Sequence, residues 1–186
     1  MANSAVTLPL SLDEFLEWER LQASRHELID GLVIAMAGGT ADHNTIVHNL
    51  VAALRSATRG GPCRVFAESM KVIVGDAMMY PDVVVTCVGV EPKADLVREP
   101  VLIVEVLSRS THEIDRGRKW LAYQQLESLR QYVLISQDEA RVETYTRTEE
   151  GWAYRVITGA SAAVTLAPAG AGVPLAAIYE DSSVGA

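Results

Sequence analysis

Val101-Leu102-Ile103-Val104-Glu105-Val106-Leu107 is an apolar run with one acid in its middle, and Pro81-Asp82-Val83-Val84-Val85 is a second apolar run with an acid at its head. Both are short, rich in β-branched residues and bounded by Pro, Gly or Ser, the pattern of buried strands. An ionised carboxylate there is costly unless it is paired or holds a cation. If the two strands are neighbours, Asp82 and Glu105 converge on one cleft, and a hard divalent cation with oxygen ligands relieves their repulsion most cheaply. The pattern predicts a metal pair, against the plainer reading of two structural acids.

Length and composition bound the rest. The 186 residues, 49% of them apolar, suit one domain over residues 1–186, with flexible ends expected at 1–10 and 180–186. Sixteen Lys and Arg against 24 Asp and Glu leave a formal net charge of −8. That excludes a protein that coats nucleic acid indiscriminately, because such binding depends on many basic contacts to phosphate. A local basic patch is still allowed. Residues 1–10 carry neither a cationic start nor a sustained apolar segment, so a cytoplasmic protein is expected. The uncharged segment 156–179 is long enough to cross a bilayer, but Gly159, Pro168, Gly170, Gly172 and Pro174 interrupt it. Short strands and loops are predicted there, and no membrane association. Cys63 and Cys87 lack the paired spacing of a zinc site and are expected to be free core thiols.

Along the chain, Ser11-Leu12-Asp13-Glu14 is a capping box opening a short amphipathic helix with Phe15, Leu16, Trp18 and Leu21. Asp30-Gly31 tolerates the positive φ angles of a two-residue turn and predicts a hairpin between residues 25–29 and 32–36. Ile46, Val47, Leu50, Val51 and Leu54 recur at helical spacing over 42–58, and Gly60-Gly61-Pro62 ends that helix. Strands are predicted at 63–67, 70–74 and 80–86, with a turn at Gly75-Asp76, then a polar loop from 89 to 99. A helix over 113–127 follows the Glu105 strand, capped by Ser110 or Thr111, and strands at 132–136, 141–146 and 152–157 come after it. The fold class expected is mixed α/β (α+β).

This order, with His26-Glu27-Leu28-Ile29-Asp30-Gly31, His43 entering a helix, Tyr80-Pro81-Asp82, Val104-Glu105-Val106 and then Asp115 and Lys119, resembles the PD-(D/E)XK nuclease superfamily. Within it the chain is most similar to the Uma-two family of restriction-endonuclease-like proteins. The resemblance covers roughly residues 11–147. It implies a mixed sheet flanked by helices, a Mg²⁺ site with Mn²⁺ as a substitute, hydrolysis of DNA phosphodiester bonds, and a homodimer. One departure stands out. The superfamily's usual Lys, two residues after the Glu, is Leu107 here, and Lys119, four residues after Asp115 on a helix, is the candidate replacement.

On this reading Asp82 and Glu105 hold the metal and Lys119 stabilises developing charge or orients a water. Glu27 is a further ligand or a water-holding base, against a simple surface pair with Arg25. His43 and Asp115 support the site from behind, against a plain core histidine and a helix-start acid. Arg109, Arg116 and Arg118 form a phosphate-facing edge, against an ordinary solvated helix of mixed charge. A catalytically silent nuclease-like fold that binds nucleic acid or a partner protein is the alternative function, favoured by Leu107 and the net acidity. A Ser hydrolase built on Ser108 or Ser110 with His112 lacks a nucleophile elbow, and Gly38-Gly39-Thr40 lacks the Lys and spacing of a P-loop.

Overall fold

The computed structural model describes residues 6–7, 10–36, 38–108, 111–168 and 170–184. Its centre is a six-stranded mixed sheet in the order β11-β10-β9-β8-β7-β4, comprising β4 (Arg64–Ala67), β7 (Val83–Thr86), β8 (Pro100–Leu107), β9 (Gln131–Ser136), β10 (Arg141–Thr148) and β11 (Gly151–Thr158). Only β8 and β9 run parallel, joined by a helical crossover, and the other neighbours are antiparallel. A five-stranded sheet in the order β1-β3-β2-β6-β5 packs against it, built from β1 (Val6–Thr7), β2 (His26–Ile29), β3 (Leu32–Ala35), β5 (Val72–Val74) and β6 (Ala77–Met79). A small pair, β12 (Ala163–Leu166) and β13 (Ala171–Pro174), lies in the uncharged tail with the short α5 (Leu175–Ile178). No helix among the described residues is long and apolar enough to cross a membrane.

Strand alternation divides the core. Val83, Val85, Leu102, Val104 and Val106 face α2 (Ala41–Ala57), whose Ile46, Val47, Leu50 and Leu54 cover that side of the large sheet. Val84, Ile103 and Leu107 face the other way, onto Ile29, Ile34, Val72 and Met79 of the smaller sheet. The far side of the smaller sheet is closed by α1 (Leu12–Glu19), which buries Phe15 against Leu28, Val33 and Met78. Ser11 and Glu14 form the expected reciprocal cap, and Asp30 and Gly31 take φ of 52° and 72° in the hairpin turn.

Three expectations are corrected. The strand over 80–86 is shorter: Pro81 has no amide hydrogen to give a ladder, so the chain leaves β6 at Met79 and enters the large sheet at Val83. The helix over 113–127 is broken into α3 (His112–Ile114), a π-helical turn at Asp115–Lys119 and α4 (Trp120–Tyr123). Cys63 and Cys87 are joined in a disulfide instead of standing free. The antiparallel register pairs Arg64 with Thr86, so the next residues outward meet, and 24 positions of sequence separation vanish. The Ser183 amide donates to Asp42 Oδ1 at 3.0 Å and Asn49 Nδ2 donates to the Glu180 carbonyl at 2.8 Å.

Candidate active site

The register of β7 and β8 pairs Val83 with Val104, and the same register one residue earlier sets Asp82 opposite Glu105. Both acids share the parity of Val84 and Ile103, so they lie on the side of the large sheet that meets the smaller one. Asp82 stands where the chain crosses between the two sheets. Its Oδ2 accepts the Val106 amide at 2.6 Å, and its Oδ1 lies 3.2 Å from His43 Nε2.

Lys119 is the hub. It is only 5% exposed, so it is not part of a solvated helix face. Its ammonium lies 3.1 Å from Glu105 Oε1, 3.1 Å from Glu27 Oε1 and 3.2 Å from Asp115 Oδ1. Leu107, two residues after Glu105 on the strand, is buried, and the ammonium reaches Glu105 from the helical side. The π-turn, with Gly117 at its centre, carries both Asp115 and Lys119, and such turns recur at functional sites. The Tyr132 hydroxyl donates to the Asp115 carbonyl at 2.9 Å and steadies the turn from β9.

Glu27, on β2, is buried and turned inward, so it is no surface partner of Arg25. Its Oε1 accepts the Tyr80 amide at 2.9 Å as well as facing Lys119. His43 sits in the first turn of α2, where its amide donates to the Thr40 cap at 3.1 Å. Gly39 packs against that ring: a Cβ there would fall 2.8 Å from His43 Nδ1. Sequence reasoning missed Tyr123, whose fully buried hydroxyl donates to Glu105 Oε1 at 3.2 Å. Its place one turn after Lys119 was the available signal, but an apolar helix face explained it equally well.

Electrostatics follow from burial. Desolvation would lower the pKa of Lys119, yet Glu105, Glu27 and Asp115 outweigh it and hold the ammonium well above its ordinary value. Desolvation pushes Glu105 well above the carboxylate range, opposed by Lys119 and reinforced by Asp115, Asp82 and Glu27. Glu27 is raised by desolvation, with Lys119 and the Tyr80 amide pulling the other way. For His43, burial opposes the charge, but the bond to Asp82 prevails and the pKa rises.

These groups line a cleft of about 990 Å³. Among the described residues, Glu27, Asp42, Glu68, Asp82, Glu105, Asp115 and Asp138 contribute seven carboxylates to it, against the permanent charges of Arg25 and Lys119. Among the described residues no three His, Cys, Asp or Glu side chains close on one point as a prebuilt cage. Mg²⁺ suits such a site, because it uses one or two protein carboxylates and keeps much of its water. The oxygen-rich donor set and the surplus of negative charge fit it.

The basic edge is smaller than expected. Arg116 pairs with Glu143 at 2.7 Å and Arg118 with Asp30 at 2.9 Å, while Arg109 lies outside the described residues.

A family model, Uma2, described as "Putative restriction endonuclease", matches residues 12–176. Two proteins of Synechocystis sp. are similar to the chain. The uncharacterized protein slr1290 is 34% identical over 145 residues, covering 76% of each chain. The uncharacterized protein sll1609 is 31% identical over 168 residues, 86% of this chain and 94% of its own. In fold the chain is similar to the crystal structure of a "putative nuclease belonging to DUF820" from Anabaena variabilis. That match has a TM-score of 0.76 at 22% identity and covers 92% of this chain and 98% of the other.

Proposed function

The chain belongs to the Uma2 family, and from that membership we propose that it is a metal-dependent endonuclease that hydrolyses phosphodiester bonds of DNA. The single observation that carries the reading is the placement of Asp82 opposite Glu105 on one side of the sheet, in a cleft with excess negative charge. Asp82 and Glu105 would hold Mg²⁺, or Mn²⁺ in its place, which supplies charge neutralisation at the phosphoryl group and acidifies a water.

The chain's own residues divide the remaining work. Lys119 stays protonated and fixes Glu105 and Glu27 relative to one another. It stabilises charge developing on the phosphoryl oxygens by exchanging one carboxylate contact for a substrate oxygen. Glu27, with its proton affinity raised by burial, takes the proton of the attacking water. The Tyr123 hydroxyl and Lys119 both donate to Glu105 Oε1, which leaves the other oxygen of that carboxylate for the cation. His43 and the Val106 amide hold the two oxygens of Asp82. A homodimer would set two such clefts against the two strands of a duplex.

A second reading is a silent nuclease-like fold that binds nucleic acid or a partner protein. The observation in its favour is that Lys119 already neutralises three acids. Incubation with supercoiled plasmid and Mg²⁺ or Mn²⁺ separates the two. A nuclease nicks the plasmid, and EDTA, Asp82→Ala and Glu105→Gln each abolish nicking. Binding that survives all three treatments, with no nicking by the native chain, would establish the silent fold.

A further inference from the structure

Among the described residues, three side chains lining the cleft can carry positive charge: Arg25, His43 and Lys119. Asp82 engages His43, and three carboxylates engage Lys119. Arg25 differs from both. It is exposed, it enters β2 two residues before Glu27, and no carboxylate among the described residues pairs with it. The guanidinium is nonetheless held in place. Nη1 donates to the Glu68 carbonyl at 2.5 Å, and the guanidinium carbon lies 5.3 Å from the Tyr80 ring centroid. Glu68 takes a left-handed φ of 56° where it presents that carbonyl. One bond to Glu68 leaves most of the five guanidinium N–H donors for a ligand.

We propose that Arg25 is the phosphate anchor of the cleft, binding non-bridging oxygens of a nucleic-acid backbone phosphate beside the acidic groups. The proposal rests on the nuclease reading above. A polyanion entering a cleft with seven carboxylates needs a local cation to offset their repulsion, and Arg116 and Arg118 are spent elsewhere. A planar guanidinium fork matches phosphate oxygens two at a time, which an ammonium does not. Its attachment to Glu68 and Tyr80 reduces the side-chain entropy lost when the phosphate binds.

The test measures binding of a short fluorescein-labelled DNA duplex by anisotropy across a salt series, with Ca²⁺ replacing Mg²⁺. Arg25→Gln and Arg25→Lys are compared with Arg118→Gln, and thermal melting checks that each variant is folded. Arg25→Gln is expected to bind roughly tenfold more weakly, with the slope of log affinity against log salt reduced by about one. Arg25→Lys keeps the native slope and recovers part of the affinity, and Arg118→Gln matches the native chain. Native affinity and slope in Arg25→Gln would overturn the anchor while leaving the nuclease reading intact. Equal weakening by Gln and Lys with an unchanged slope would reduce Arg25 to a tether for the Glu68 turn, which also overturns it. A native chain that does not bind the duplex would overturn both proposals.

Discussion

The Val106 amide donates to Asp82 Oδ2 at 2.6 Å, so the carboxylate that precedes β7 is bonded directly to the strand that carries Glu105. This bond gives Asp82 a structural duty as well as a chemical one, and substitutions can separate them. Asp82→Asn keeps an oxygen acceptor for the amide and is expected to stay within about 1 kcal/mol of native stability. Asp82→Ala strands the amide and is expected to cost about 1–3 kcal/mol. Both are expected to lose Mn²⁺ binding and plasmid nicking. Urea denaturation and calorimetric Mn²⁺ titration distinguish the two duties.

Lys119→Met removes the one ammonium shared by Glu27, Glu105 and Asp115. Unpaired buried carboxylates are expensive, and a loss of about 3–5 kcal/mol at neutral pH is expected. The deficit should narrow on acidification. Glu105 and Glu27 already have raised pKa values in the folded chain, and without Lys119 they rise further. A raised carboxyl binds its proton more readily folded than unfolded, so folding gains as pH falls. Urea midpoints of the variant at neutral and mildly acidic pH provide the comparison, and a pH-independent deficit would contradict it.

His43 has a folded pKa raised above its ordinary 6.5 by the bond to Asp82. The stability it contributes is fully present below 6.5 and is lost as pH rises through the raised value. The melting temperature of the native chain should therefore decline across that window, and His43→Gln should flatten the decline. Melting curves recorded at closely spaced pH values in the absence of metal are the measurement.

The Cys63–Cys87 disulfide closes a loop spanning 24 positions, which includes β5 and β6. Constraining an unfolded loop of that size stabilises a fold by about 3 kcal/mol. Reductant, or Cys63→Ser with Cys87→Ser, is expected to lower the denaturation midpoint accordingly. Thiol titration of the unreduced, denatured chain should find both sulfurs blocked.

Much of this molecule is legible residue by residue. Ser11 and Glu14, Asp30 and Gly31, and the Ile46-to-Leu54 stripe act over a few positions, where backbone sterics, local capping and helical period decide the outcome. The apolar runs around Asp82 and Glu105 likewise predict strands, because β-branched residues of that length have few other uses. Their acids announce a cleft through the cost of burying charge. Lys119 and His43 enter as candidate partners through the resemblance, and the residues alone do not decide between that and a plainer role. Lys119 reads equally well as part of a solvated helix face until a π-turn, steadied by Tyr132, turns it inward onto Glu27 and Glu105.

The same division holds at the edges of the site. Arg116 and Arg118 look like phosphate contacts in one dimension, but folding brings Glu143 and Asp30 to them, while Arg25 in the cleft has no carboxylate partner among the described residues. Cys63 and Cys87 look isolated until β4 and β7 align them. Short-range steric and solvation preferences thus dictated the strands, helices and turns and marked which acids need a counter-charge. Which group answers each charge depends on long-range strand register and helix placement, set by the burial of the whole core, and only the assembled chain decides it.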